Sequence, residues 1–149
     1  IAQLNREGIA ASVVFTGKEH DYRNPAYTDD IKKMAEESAC SGAFKFLGFI
    51  DRSEQLAIMQ HAAALIQPSL SEGWSTTIED ALSLGKWVIC SDIPANKEQV
   101  SENVSFFDAT NAPQLAAILR AVANKSIPPR KENYSERVHH FAEDFIKLI

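Results

Sequence analysis

The chain has 149 residues, 45% of them hydrophobic and 23% charged, a balance that suits one globular domain with its own core. Its apolar runs are far shorter than the roughly 20 residues a membrane helix needs, and its first residues lack the basic-then-apolar pattern of a secretory signal. A net charge of −5 argues against a general nucleic-acid partner, whose affinity comes mostly from neutralised phosphates. It leaves room for a small phosphorylated ligand, which needs only a few well-placed donors. Cys40 and Cys90 belong to no CxxC or Cys/His cluster and read as free thiols of a reducing compartment.

The chain opens at Ile1 in the tail of a helix, with Ile1 and Leu4 inward and Gly8 as its stop, and is read as a piece of a longer protein. Short β-branched and aromatic runs then alternate with amphipathic stretches, the pattern of βα repeats. A strand over Ser12–Thr16 precedes a helix over Thr28–Ala39, with Ile31, Met34 and Ala35 on one face. A second strand over Ala43–Leu47 leads to a helix from Ser53, its expected N-cap, to His61. Ala63–Ile66 is apolar enough to predict a fully buried strand. The helix Ser75–Leu84 stops at Gly85, and further strands are predicted over Trp87–Cys90 and Val104–Phe107. Pro113 opens a helix to about Asn124, and a final amphipathic helix starts at Tyr134. The expected architecture is α/β, a Rossmann-like doubly wound parallel sheet, in one domain over residues 1–149.

In open parallel sheets ligands bind beyond the carboxyl ends of the strands. The informative segment there is Pro68–Ala81, which leaves a buried strand, turns through Gly73 and enters a helix with Ser and Thr in its first turn. Free N–H groups and the positive end of the helix dipole attract anions, phosphate above all. Asp80 lies about one and a half turns into that helix, on the side of Thr76 and Thr77, where its carboxylate can accept from a sugar diol beside the phosphate. Glu72, at the lip of the loop, can do the same for a second sugar. On residue chemistry alone an equal alternative stands, in which Glu72 is a solvated loop acid and Asp80 steadies the first helical turns. Trp74 either stacks on a sugar or anchors the loop.

Residues 68–92, PSLSEGWSTTIEDALSLGKWVICSD, resemble the signature of group 1 (family 4) retaining glycosyltransferases of the GT-B type. There a Pro-Ser loop leads to a Glu, seven residues, a second acid, Ala, a Gly and a strand ending in Ser-Asp. Here those positions are Glu72, Asp80, Ala81, Gly85 and Ser91-Asp92, with Phe46–Ile50 resembling the block before them and Glu98 matching an acid after them. The resemblance implies the C-terminal, donor-binding half of a two-domain enzyme that transfers a sugar from a nucleotide-diphosphate sugar to a glycan or lipid-linked acceptor. It implies Glu72 as the catalytic carboxylate facing the donor sugar, and Asp80 holding the ribose. Gly73, Trp74, Ser75 and Thr76 would lie against the diphosphate and sugar, and Phe49 and Ile50 would line the base. It further implies no cofactor and no metal, as the sequence also has no Asp-x-Asp motif. A cytoplasmic location, with possible peripheral membrane association of the whole enzyme, follows from where nucleotide sugars are made and from the free thiols, and a role in capsular or surface polysaccharide synthesis follows as family habit.

Some positions depart from that pattern. The second acid is Asp80 rather than Glu, with Glu79 as an alternative pointing about 100° away. A frequent Leu-Pro is Thr76-Thr77, and a Gly-Gly loop is replaced by Pro94-Ala95. The family's first strand and helix, with an Arg and a Lys that neutralise the diphosphate, have no counterpart in this sequence. That first strand lies mid-sheet, so the expectation is two groups of strands with unpaired edges between them. His61 reads as a structural or surface residue, and His139 and His140 as a polar helix face. Two rival readings are a nucleotide-sugar epimerase of related architecture and a degenerate, non-catalytic Rossmann-like module.

Overall fold

Five short strands, each preceded by a helix, carry the fold. The structure, a computed structural model, describes residues 1–20, 22, 24–125 and 134–147. In chain order the elements are α1 (Ala2–Arg6), β1 (Val13–Phe15), α2 (Tyr27–Glu36), β2 (Phe44–Phe46), α3 (Arg52–His61) and β3 (Ala64–Gln67). Then come α4 (Thr76–Ser83), β4 (Trp87–Ser91), α5 (Pro94–Gln99), β5 (Val104–Phe107), α6 (Ala112–Ala123) and α7 (Tyr134–Lys147). The predicted elements are all present, with ends moved by at most three residues.

All pairings are parallel. β1 pairs with β2, and β4 lies between β3 and β5. The strands therefore fall into the two groups expected, a two-stranded and a three-stranded sheet. Val14 and Phe15 of β1 are exposed. The ring of Phe15 stacks on that of Phe46 across the β1–β2 pair, with centroids 4.7 Å apart.

The predicted fully buried strand is corrected: β3 is half-buried along its length, because among the described residues it is bonded on one side only, to β4. The central strand β4 is the buried one. Val88, Ile89 and Cys90 there, with Met59 of α3, Ile78, Ala81 and Leu82 of α4, and Val100, make the core. Fully burying a side chain such as Ile78 or Leu82 stabilises the fold by about 1.5–3 kcal/mol. The core thus fixes α4 onto β3 and β4, which sets where the loop before α4 must lie.

Local chemistry sets the ends of the two helices that matter for the site. Ser75 caps α4, its Oγ accepting from the Ile78 N–H at 3.4 Å. At the other end Gly85, at φ +63°, allows the N–H of Lys86 to reach the carbonyl of Ala81 at 2.8 Å, the Schellman closure expected from sequence. The cap of α3 is Asp51 rather than Ser53. It forms a capping box with Glu54, whose carboxylate accepts from the Asp51 N–H at 3.2 Å, and so the helix begins two residues earlier than predicted. Arg52 becomes its first residue.

The short helix α5 is absent from the sequence-based expectation. Its inward residues are polar: Asn96 and Gln99 are buried, and Asn96 Nδ2 donates to the carbonyl of Ser91 at 2.9 Å. A helix held by buried amides carries no apolar stripe for periodicity to detect.

Cys40 and Cys90 are free and buried. Burial first, and the nearby charge of Asp92 second, push the Cys90 thiol from 9.0 up to about 11. Between those two pH values the unfolded chain binds fewer protons at this site than the folded one, so its contribution to stability falls as pH rises. Urea melts at pH 8 and pH 10.5 are therefore expected to show a steeper loss for the wild type than for Cys90→Ala. Equal losses in both proteins would contradict it.

Candidate functional site

Because the strands within each sheet are parallel, the loops after β2 and β3 leave from the carboxyl ends of their strands and enter α3 and α4. In the loop after β3, Glu72 is half-buried and tied down. Its Oε1 accepts from Gln67 Nε2 at 2.7 Å and from Ser69 Oγ at 2.6 Å. Ser69 is in turn held by Ser91 Oγ, which donates to its carbonyl at 2.5 Å. Glu72 is thus a positioned carboxylate anchored to the ends of β3 and β4, not the freely solvated loop acid of the plain alternative.

Gly73, Trp74 and Thr76 are exposed, with Trp74 60% accessible. Ser75 is different, and here the expectation needs correction. It is buried; its N–H donates to Gln99 Oε1 at 3.1 Å, and its hydroxyl caps α4. Neither group is available to a diphosphate in this arrangement. The first N–H groups of a helix have no intrahelical partner. With that of Ile78 taken by the cap, those of Thr76 and Thr77 are the ones left for an anion.

The two neighbouring acids of α4 part company as their helical directions require. Glu79 turns inward to α5, its Oε1 accepting from Gln99 Nε2 at 2.9 Å. Asp80 turns toward α3, where both of its carboxylate oxygens accept from the guanidinium of Arg52. The Asp80 side chain is 14% exposed against 56% for Arg52, so the guanidinium lies over the carboxylate on its solvent side. The pair raises the pKa of Arg52, chiefly through the hydrogen bond to Asp80. It also bridges the helices that follow β2 and β3, and Arg52 lies two residues past Ile50. Phe49 is exposed and Ile50 half-buried.

Glu98 apart, the sequence-predicted residues therefore lie in two segments, 49–50 and 72–80, which the Arg52–Asp80 pair links through the start of α3. Glu98 is exposed on α5, and its neighbour Gln99 reaches the loop. Sequence reasoning missed both Arg52 and Gln99. Arg52 sits two residues past the segment read as base-lining, which was the only signal available. A separate hollow, lined by Phe15, Gly17, Tyr27, Ile31, Phe46 and Gly48, opens beyond β1 and β2, and neither Glu72 nor Asp80 lines it.

The remaining expectations divide. His61 is exposed, and His139 and His140 are exposed on α7 beside Glu143, as a polar face requires. Val138, Phe141 and Phe145, the apolar positions of α7, are exposed rather than packed on this domain's core. Tyr134 and Leu148 continue that helical spacing in the sequence, and the side chain of Tyr134 and all of Leu148 fall outside the described residues. No helix among the described residues is long and apolar enough to cross a membrane.

The family described as glycosyl transferases group 1 matches residues 1–141. Among solved structures, the crystal structure of Anabaena Alr3699/HepE in complex with UDP is similar, with a TM-score of 0.70 and 18% identity. The match covers 80% of this chain and 33% of that one, so this chain spans about a third of its length. At that identity the likeness speaks for the fold, a Rossmann-like α/β arrangement of parallel strands. No curated protein matches the chain. A family match running from residue 1 to residue 141 is decisive, and the chain belongs to the group 1 glycosyl transferases.

Proposed function

We propose that this chain is the donor-binding part of a retaining GT-B glycosyltransferase, which moves a sugar from a nucleotide diphosphate to a glycan or lipid-linked acceptor held by another domain. One observation carries the reading: Glu72 and Asp80 flank the start of α4, one anchored at the strand ends and one paired with Arg52, two residues past the Phe49–Ile50 segment. That geometry suits a ligand with a base by residues 49–50, a ribose diol on Asp80, and a diphosphate at the N–H groups of Thr76 and Thr77. The donor sugar then falls near Glu72. The dipole of α4 and those N–H groups favour the negative charge that develops on the leaving diphosphate. Glu72 orients sugar hydroxyls, and no side chain is assigned as a nucleophile. We place the whole enzyme on the cytoplasmic side, where peripheral membrane association suits a lipid-linked acceptor, and in surface polysaccharide synthesis.

The test is transfer by the whole enzyme that contains this chain, from a panel of nucleotide sugars, with the anomeric configuration of the product read by proton NMR. A product of retained configuration supports the reading, and an inverted one contradicts it. Asp80 already satisfied by Arg52 favours a second reading, a module that no longer binds a donor. That module would bind no nucleotide sugar at millimolar concentration.

A further inference from the structure

We propose that Arg52 is an exchange latch of the donor site: a nucleoside diphosphate takes Asp80 with its ribose diol and releases the Arg52 guanidinium to its diphosphate. The inference rests on the donor-site reading above and adds to it the residue that meets the phosphate charge.

Three observations lead there. First, the Asp80 carboxylate is occupied at both oxygens by Arg52, so a diol can engage it fully only by displacing the guanidinium. Displacement is cheap, because Arg52 is largely exposed and recovers water as it leaves, and exposed pairs of this kind contribute little. Second, Arg52 is the first residue of α3 and leans on the first turns of α4. A cation at the positive end of α3 is disfavoured by the dipole of that helix. Asp80 holds it there, with a longer contact from Gln55, whose Oε1 accepts from the guanidinium at 3.3 Å, and once Asp80 turns to a diol the site calls for a different anion. Third, Asp80 is the fifth residue of α4, about 6 Å along the axis from Thr76. The guanidinium therefore rests about one turn from the N–H groups of Thr76 and Thr77, on a long side chain with several rotatable bonds. Lys97, the cation of α5, is tied to Asp92 instead. Ribose and diphosphate belong to one ligand, so a single molecule supplies both halves of the exchange.

The experiment compares a nucleoside with its diphosphate on wild type, Arg52→Ala, Arg52→Lys and Asp80→Ala. Each protein is titrated with UDP, GDP and ADP and with the corresponding nucleosides, followed by NMR shifts, with thermal melts confirming the fold. Arg52→Ala is expected to weaken the diphosphate by about tenfold or more, the worth of a charge-assisted hydrogen bond. The nucleoside should be unaffected or tighter by at most about threefold, as the latch is gone. Arg52→Lys should recover part of the diphosphate affinity, and inorganic diphosphate should compete on wild type more strongly than on Arg52→Ala. Equal weakening of nucleoside and diphosphate would overturn the exchange and leave Arg52 as a support that only orients Asp80. No change in either would make it a surface cation. If wild type binds no nucleoside diphosphate, or Asp80→Ala binds as wild type does, the donor-site reading itself falls and the latch falls with it.

Discussion

Asp80→Ala is expected to weaken nucleoside diphosphate binding by a factor of roughly 30 to 150 while leaving the fold intact. A ribose diol on a carboxylate makes hydrogen bonds to a charged acceptor, and losing that acceptor costs about 2–3 kcal/mol. Stability should change little, because the residue stranded by the substitution, Arg52, is more than half exposed and returns to water. Asp80→Asn, which keeps the shape and removes the charge, should fall between. Calorimetric titration of the three proteins checks the order, and equal affinities for wild type and Asp80→Ala would remove Asp80 from the site.

Gln99→Leu is expected to destabilise the fold by about 2–4 kcal/mol and to loosen the loop before α4. The Gln99 amide is buried and serves Ser75 twice, its Oε1 accepting from the Ser75 N–H at 3.1 Å and its Nε2 donating to the Ser75 carbonyl at 2.8 Å. The carbonyl keeps the helical bond from Glu79, at 3.3 Å, but the N–H is left unpaired in the interior. A buried donor without a partner costs about 1–3 kcal/mol. The carboxylate of Glu79 loses a donor as well. Urea denaturation gives the stability change, and amide exchange should speed up at residues 73–76. A loss below about 0.5 kcal/mol, the size of an ordinary surface substitution, would contradict the role given to Gln99.

Much of the fold is legible in the sequence because burial imposes a period on it. Val88, Ile89 and Cys90 read as a buried strand, and they are one. Ser75 and Gly85 bracket α4 through cap chemistry that is local in sequence. The failures are equally physical. α5 is held by Asn96 and Gln99, polar residues that face inward, so its pattern is the reverse of the one amphipathicity predicts. The depth of β3 depends on how many neighbours it bonds, which no run of residues encodes.

The site divides the same way. The Glu72 and Asp80 spacing is visible as a motif, and helical geometry separates Asp80 from Glu79. What each acid touches is not visible. Arg52 meets Asp80 across 28 residues, and Gln99 meets Ser75 across 24, through tertiary contacts that leave no local trace. Ser75 shows the cost of reading a motif as a row of equivalent donors. Its amide and hydroxyl serve the loop's own structure, and the N–H groups of the next two residues remain for an anion.

The most direct test of a donor site at the start of α4 is a two-dimensional NMR titration with UDP, GDP and ADP. Saturable shifts with at least one nucleotide are expected to cluster at residues 49–52 and 72–80. Saturable shifts confined to other segments, such as the hollow beyond β1 and β2, or none at millimolar concentration, would contradict it.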